Sequence, residues 1–325
     1  MSYPCSDLAR QLQEAVHTID TDDYHRQYLE RMVPVADYYF DIYRHCLDNL
    51  ARHLDFPLRQ ATLVDYGGGH GLLSIVAKQS GWGQVIYIDN DSRAATTAAH
   101  LSKALNAEPD FILNGNSSLL NNFCTTNHIV PHAIAGMDVI EHIYCLDDFF
   151  NDILSIKQAR PLMIFTTASN PANKIICRRL HKYMHGDESG SNESPNFLTL
   201  RYEYIRDCFP QMSEQMAIRW AKQTRGLIYD DIYAAIESNT PHLLADPHNT
   251  CDPRTGSWTE RILPFDDYRQ ILMPYSYSLT IENGWYNTRH HFPKNFVARL
   301  LNHIDSVRLA PFVTLFAQPS APVSI

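Results

Sequence analysis

A doubly wound α/β fold around a mostly parallel, seven-stranded sheet is predicted by three features of this 325-residue sequence. Short, β-branched apolar segments alternate with helical stretches of about 10–15 residues, the pattern of βαβ crossovers. The first such segment runs into Gly67, Gly68, Gly69 and Gly71, a cluster that ordinary turns do not need. From about 170 to 262 the alternation stops, and it resumes afterwards, so a large insertion follows the fifth strand.

Residues 6–58 place Leu8, Leu12 and Val16, then Leu29, Val33, Val35 and Phe40, then Ile42, Leu47, Leu50 and Leu54 near helical spacing, with Pro34 breaking or kinking the run. Thr62–Tyr66 is the first strand. Leu72–Gln79 follows as a helix closed by Gly81, Val85–Asp89 as the second strand, and Arg93 to about Leu105 as an Ala-rich helix. Phe111–Leu113 and His132–Asp138 are the third and fourth strands, a helix covers Leu146–Ile156, and Pro161–Thr167 is the fifth strand. The insertion is rich in Arg, Tyr, His and Asn, contains the polar segment 186–194, and reads as short helices and loops. A helix near Phe265–Leu272, a strand at Tyr277–Glu282, a helix from about Asn295 to Ser306 and a strand at Phe312–Phe316 complete the pattern. The expected organisation is an N-terminal helical cap (1–58), a cofactor domain (59–169 and 263–325) and an inserted lid (170–262). Substrate selection is assigned to cap and lid.

With 45% hydrophobic and 19% charged residues, collagen-like and disordered classes are excluded. The net charge of −9 argues against a broad phosphate-gripping surface, so nucleic acid is not the expected partner. No apolar run approaches the ~18 residues of a membrane span, and the N-terminus lacks a basic segment followed by an apolar core. Seven cysteines without a C-x-x-C pair give neither a disulfide framework nor a zinc knuckle, and the expected setting is a reducing, cytoplasmic one.

The chemistry is concentrated in Asp65-Tyr66-Gly67-Gly68-Gly69-His70-Gly71, between a strand and a helix. Glycines there let the backbone turn sharply and lie flat against a ligand, with amides free at the helix start. A P-loop requires Lys-Ser or Lys-Thr after the last glycine, and Leu72-Leu73 stand there. A dinucleotide fingerprint requires a small third residue; its two registers find Leu72, which fails, or Ser74, which leaves a residual case. The pattern of Asp65, Gly67, Gly69 and Gly71 fits neither well. It resembles motif I of class I S-adenosylmethionine-dependent methyltransferases. The resemblance continues at Asp89, 18 residues after Gly71, and through Asp138–Ile143, which is similar to the segment after the fourth strand in ubiquinone-biosynthesis-type methyltransferases. It covers about residues 60–170 and the closing strands near 277–316.

The resemblance implies a Rossmann-like fold and S-adenosylmethionine as cofactor. Asp65, Gly67, Gly68, Gly69 and Gly71 would hold its methionine end and Asp89 its ribose diol. Asn90 would lie on the adenine side, Asn114 or Asn116 at the adenine, and Asp138 in the same cofactor site. For Asp89 the alternative is a helix cap, although Asp91 and Ser92 stand nearer the helix start; for Asn114 and Asn116 it is ordinary turn chemistry.

Methyl transfer to a hydroxyl or protonated amine needs an aligned acceptor and a base. His142 is the candidate base, with Glu141 orienting it or facing the fold; capping of the following helix is the alternative for both. Asp138–His142 with Thr166–Asn173 also resembles the small-RNA 3′-terminal 2′-O-methyltransferases. That resemblance implies a divalent metal held by Glu141 and His142, joined by His181 or His185, which are one helical turn apart. The leading function is methyl transfer to an oxygen, or second a nitrogen, of a small or medium-sized acceptor. The alternatives are metal-assisted transfer to an RNA end and a non-catalytic cofactor-binding subunit.

Overall fold

The computed structural model describes residues 5–157, 159–190 and 196–320. Its first helices are α1 (Cys5–Val16), α2 (Asp23–Met32) and α3 (Ala36–Arg52), and Pro34 sits in the 3₁₀ turn Val33–Val35 that separates the last two. Then follow β1 (Thr62–Tyr66), α4 (Leu72–Gln79), β2 (Gln84–Asp89), α5 (Ser92–Ala104), β3 (Phe111–Asn114), α6 (Ser117–Thr126), β4 (Ala133–Met137), α7 (Leu146–Leu154) and β5 (Leu162–Thr167). The insertion folds into α8 (Lys174–Ser189), α9 (Phe197–Cys208), α10 (Glu214–Gln223) and α11 (Tyr229–Glu237), and the chain closes with α12 (Phe265–Leu272), β6 (Tyr277–Asn283), α13 (Lys294–Asn302) and β7 (Val313–Pro319).

The seven strands form one sheet in the order β3-β2-β1-β4-β5-β7-β6. Every strand is parallel to its fellows except β7, which runs antiparallel between β5 and β6. Strands buried on both faces read as continuous apolar runs, as in Leu162–Thr167, where every residue is buried. One apolar core packs α1, α3 and α4 on one face of the sheet, and a second packs α7 and α12 on the other. The order reverses between β1 and β4, so the chain leaves these neighbours in opposite directions and a crevice opens at their C-terminal ends.

One helix was not anticipated, and two expectations need adjustment. Residues between the third and fourth strands hold α6, whose Ser, Asn and Thr content hides its helical spacing; Asn116 caps it by accepting from the Leu119 amide at 3.2 Å. The helix predicted to reach Ser306 ends at Asn302. In the polar segment 186–194, Gly186–Ser189 continue α8, while residues 191–195 lie outside the described residues.

Helix α8 continues because Glu188 turns inward. The insertion has its own apolar core around Ile205, Trp220 and Ile232, and a buried ion pair beside it. Arg201, with no exposed side-chain surface, donates to a Glu188 oxygen and to the Ala221 carbonyl, while Thr250 donates to the other Glu188 oxygen at 2.7 Å. Removing one member of a buried pair leaves the other charged and unpaired, which costs ~3–5 kcal/mol. Arg201→Ala is therefore expected to unfold the insertion at markedly lower urea, followed by Trp220 fluorescence. The double change Glu188→Leu with Arg201→Met, which removes both charges, should recover most of that loss.

Candidate active site

The crevice is built around Asp65 at the end of β1. Its carboxylate is buried and accepts from both the amide (2.9 Å) and the hydroxyl (2.6 Å) of Ser74, which fixes the first turn of α4. Burial raises its pKa to about 7; the Ser74 bonds oppose the shift and the Asp89 charge adds to it. Between strand and helix, Gly67, Gly69 and Gly71 all have positive φ. At Gly67 a side chain would strike Val139 at 2.3 Å, whereas at Gly69 it would point into open space. Gly67 serves packing, and Gly69 leaves room for a ligand.

The expectation of free glycine amides is not met. Gly67 and Gly68 donate to the Ile88 carbonyl, Gly71 donates to Gly68, and Gly69 donates to an Asp89 carboxylate oxygen at 2.9 Å. The other Asp89 oxygen accepts from the Asp91 amide at 2.8 Å. Asp89 thus couples the glycine turn to the start of α5, and Asp91 is the cap of that helix, accepting from the Arg93 amide. Asn90 is exposed; Asn114 is exposed and donates to the Asp89 carbonyl at 3.0 Å. The Asn116 carboxamide is occupied by its cap.

Helix α2 covers the loop. Tyr28 stacks on His70 at 4.6 Å, and His25, buried, bonds the Asp22 carboxylate and lies 3.8 Å from Asp91. His70 keeps a buried Nε2 without a partner, and burial together with His25 holds its pKa down at about 4. The remaining cleft has a volume of ≈ 90 Å³, with Tyr28, Tyr43, Asp65, Gly69, His70 and Met137 among its walls and no Lys or Arg.

Beyond Met137 lies a second group of polar side chains. Asp138 adopts positive φ and its amide is held by Thr166. Its side chain reaches solvent although protein surrounds it on most sides. That enclosure, with the negative charge of Glu260, raises its pKa to about 6, and His142 opposes the shift. Tyr28, Tyr38, Tyr39 and Tyr43 all have raised phenol pKa values, chiefly through burial and partly through the Asp138 charge, so α2 and α3 wall this space. Glu141 is fully buried: one oxygen accepts from the Ala168 amide at 3.3 Å and the other has no partner. Burial, then Asp138, pushes its pKa well above the usual carboxylate range.

His142 sits in the 3₁₀ turn Ile140–His142, half-buried, with Nδ1 at 2.7 Å from the Trp258 carbonyl. A carbonyl only accepts, so Nδ1 carries the proton and neutral His142 keeps its lone pair on Nε2. The insertion grips this turn from the other side as well: the amides of Trp258 and Arg261 donate to the His142 and Glu141 carbonyls, and Ser169 donates to Glu260 at 3.3 Å. Sequence reading missed His25, Tyr28 and Glu260, whose roles depend on contacts between distant segments; only Asp22-x-x-His25, a helix-start spacing, carried a local signal.

The expected metal set is not assembled. Among the described residues, the cluster of three potential ligands with donor atoms within 4.8 Å of one another is His181, Asp246 and His248. His181 bonds Asp246 at 2.9 Å, and His185 faces Ser189 on the exposed side of α8. Helix α8 turns His181 toward the 246–248 loop, which leaves Glu141 and His142 without the imidazole expected to join them. No helix among the described residues is long and apolar enough to cross a membrane.

No protein-family model matches the chain, and no curated protein matches it in sequence. Solved structures that it resembles include magnesium protoporphyrin IX methyltransferase from Synechocystis PCC 6803 with bound SAH (14% identity, 98% of this chain and 97% of that one, TM-score 0.42). Another is geranyl diphosphate C-methyltransferase from Streptomyces coelicolor A3(2), in complex with Mg²⁺, geranyl diphosphate and S-adenosyl-L-homocysteine (13%, 95% and 86%, TM-score 0.41). A third is ribosomal protein L11 methylase from Lactobacillus delbrueckii subsp. bulgaricus (14%, 85% and 77%, TM-score 0.35). At TM-scores below 0.5 these likenesses carry no argument; the Rossmann-like α/β assignment stands on the sheet order and the crevice.

The raised pKa of Asp65 makes stability depend on pH. The folded chain keeps a proton up to about 7 that a carboxyl at its ordinary value of 3.8 releases, so this group favours the folded state below about 4 and that contribution is lost as pH rises to about 7. Asp65→Asn removes the titration. The urea midpoint of the wild type relative to this variant should fall between pH 4 and 7 and then level off; a constant difference would contradict the assigned shift.

Proposed function

We propose that the chain is an S-adenosylmethionine-dependent methyltransferase acting on an oxygen, with nitrogen second, of a small or medium-sized acceptor. The observation that carries this reading is the electrostatic character of the crevice. Its glycine amides are already bonded, to Ile88, Asp89 and Gly68, the cleft lining holds no Lys or Arg, and Asp65, Asp89 and Asp138 supply carboxyl groups. A pyrophosphate needs free amides or cations at such a turn, whereas a positively charged ligand is favoured by carboxylates.

The residues fit the cofactor. Gly69 leaves open space, each Asp89 oxygen keeps a further lone pair for a diol, and the orphaned His70 Nε2 gives the loop one more polar partner. The cleft is smaller than the ~300 Å³ at the lower end of ligand sites. Tyr28 occupies the missing space, and at 42% exposure it has solvent to swing into. When bound, the cofactor supplies an electrophilic methyl group on a positively charged sulfur.

The chain's own residues then do the rest. Nε2 of His142, its tautomer fixed by the Trp258 carbonyl, takes the proton of an acceptor hydroxyl. Asp138 and Glu260 stabilise the imidazolium that results. The α2 and α3 tyrosines and the grip of the insertion on Glu141 and His142 exclude water and orient the acceptor. The 166–173 segment brings no carboxylate to this chemistry, and its asparagines are spent on the fold. Asn170 and Asn173 both donate to the Ala310 carbonyl, and Asn170 also donates to that of Val307, which ties down the 307–310 turn.

Two measurements test the reading. Calorimetric titration with S-adenosylhomocysteine should show Asp89→Ala weakened by ~2–4 kcal/mol, roughly 30- to 1,000-fold, from two charged hydrogen bonds that share one anchor. Asp91→Ala should lose ~0.5–2 kcal/mol of stability through its cap with little change in affinity. Unchanged affinity in a folded Asp89 variant would remove the cofactor from this crevice. In turnover, followed as S-adenosylhomocysteine formed, His142→Ala should lower kcat by ~10²–10⁴ and leave cofactor binding nearly intact. Full activity of that variant would leave His142 a purely structural role.

A further inference from the structure

The cluster of His181, Asp246 and His248 plays no part in the crevice chemistry. His181 projects from α8, and Asp246-Pro247-His248 lies in the loop that leads from α11 to the backbone pairing of Cys251 with Trp258. One carboxylate serves both rings: His181 Nε2 lies 2.9 Å from one Asp246 oxygen and His248 Nδ1 lies 3.0 Å from the other. The rings stack at 3.9 Å with 13° between their planes.

The backbone beneath this triad is braced. Arg225 donates to the carbonyls of His248 and Asn249, and the Asn249 side chain, buried, exchanges two hydrogen bonds with the backbone of Ile262. The Asp246 carboxylate also accepts the His248 amide at 2.9 Å. Thr250, further along the same loop, donates to Glu188 of α8 at 2.7 Å, so the loop is tied to that helix without the imidazoles and the three donors are gathered on a set backbone. Such outer support is what keeps ligating side chains in place in metal sites.

We propose that His181, Asp246 and His248 bind one divalent transition-metal ion of the zinc class, joining α8 to the 246–248 loop. Two imidazoles and a carboxylate suit zinc, cobalt or nickel, whereas magnesium and calcium take oxygen ligands. Ligand-to-zinc distances of ~2.0–2.2 Å place donors of a tetrahedral site about 3.4 Å apart; here each imidazole nitrogen lies 2.9 or 3.0 Å from an Asp246 oxygen, and the three donors lie within 4.8 Å of one another. Imidazole lone pairs lie in the ring plane, and in two stacked rings those planes run side by side, so one ring must turn for both lone pairs to meet at the ion. His248 is the one that turns, because 51% of its side chain is exposed, against 27% for His181. Water fills the fourth position.

The test is calorimetric titration of the full chain, without an affinity tag, with zinc alone. One equivalent should bind, and the same stoichiometry should appear with cobalt as visible absorption of tetrahedral intensity. His248→Ala and Asp246→Asn should each weaken zinc binding by about 100-fold or more, while His290→Ala with His291→Ala, an adjacent histidine pair elsewhere, should leave it unchanged. Asp246→Asn is close to isosteric, so it keeps the test valid if the alanine variant is misfolded by circular dichroism. Zinc should also slow proteolytic cleavage of the loop in the wild type and not in either variant. The proposal is overturned if the wild type binds no zinc, if both variants bind it as tightly as the wild type, or if the His290/His291 variant is the one that loses it.

Discussion

The bond pair from Ser74 to Asp65 sets the geometry on which the crevice depends. A carboxylate at the end of a central strand, with 1% of its surface exposed, would be costly if left alone. An amide and a hydroxyl from one residue satisfy it, and that residue must then stand in the first turn of α4. The chain therefore has to reverse between Tyr66 and Leu72, and the turn is tight enough that Gly68 has no room for a side chain between Tyr87 and the Asp65 oxygen. Asp89 completes the arrangement from the neighbouring strand by holding the Gly69 amide.

Two covers converge on this frame from separate parts of the sequence. The N-terminal helices bring Tyr28 and His25 over the glycine turn and Tyr38 and Tyr39 toward Asp138. Tyr38 is itself held by the Trp285 carbonyl, and Arg289 pairs with Asp37 and Asp41, so α3 is fastened to the segment between β6 and α13. The insertion contributes Trp258 and Glu260 to the other wall. Neither cover is part of the sheet, yet both are electrostatically tied to it: Glu260 of the insertion raises the pKa of Asp138, and the Asp138 charge helps raise those of the α2 and α3 tyrosines.

Much of the fold was legible because its signals are local. Thr62–Tyr66 and Leu72–Gln79 appear with the bounds read from β-branched runs, helical spacing and the glycine boundary. Asp91 was readable as a helix cap from its position. Helix α6 was not, because its apolar content is small and its stability comes from a cap and from packing against α7. Within the crevice, the glycine turn and Asp89 were legible as a pattern, but the internal bonding of the amides was not, since it requires the Ile88 carbonyl and the Asp89 side chain on another strand. The partner of His142 lies at Trp258, and that of His181 at Asp246; no spacing rule links segments so far apart. Residue type suggested chemistry in each case, and tertiary contact decided which chemistry was open to it.

The place of β7 in the sheet has a consequence for synthesis. Strand β5 ends at Thr167, but the strand that pairs with its free edge does not begin until Val313. While the insertion, α12, β6 and α13 emerge from the ribosome, the edge of β5 has no neighbour, and Leu162–Thr167 is an apolar, β-branched run of the kind that pairs readily with another chain. That edge stays open while residues 168–312 are made, so this is the interval in which the chain is most prone to pair with another copy of itself.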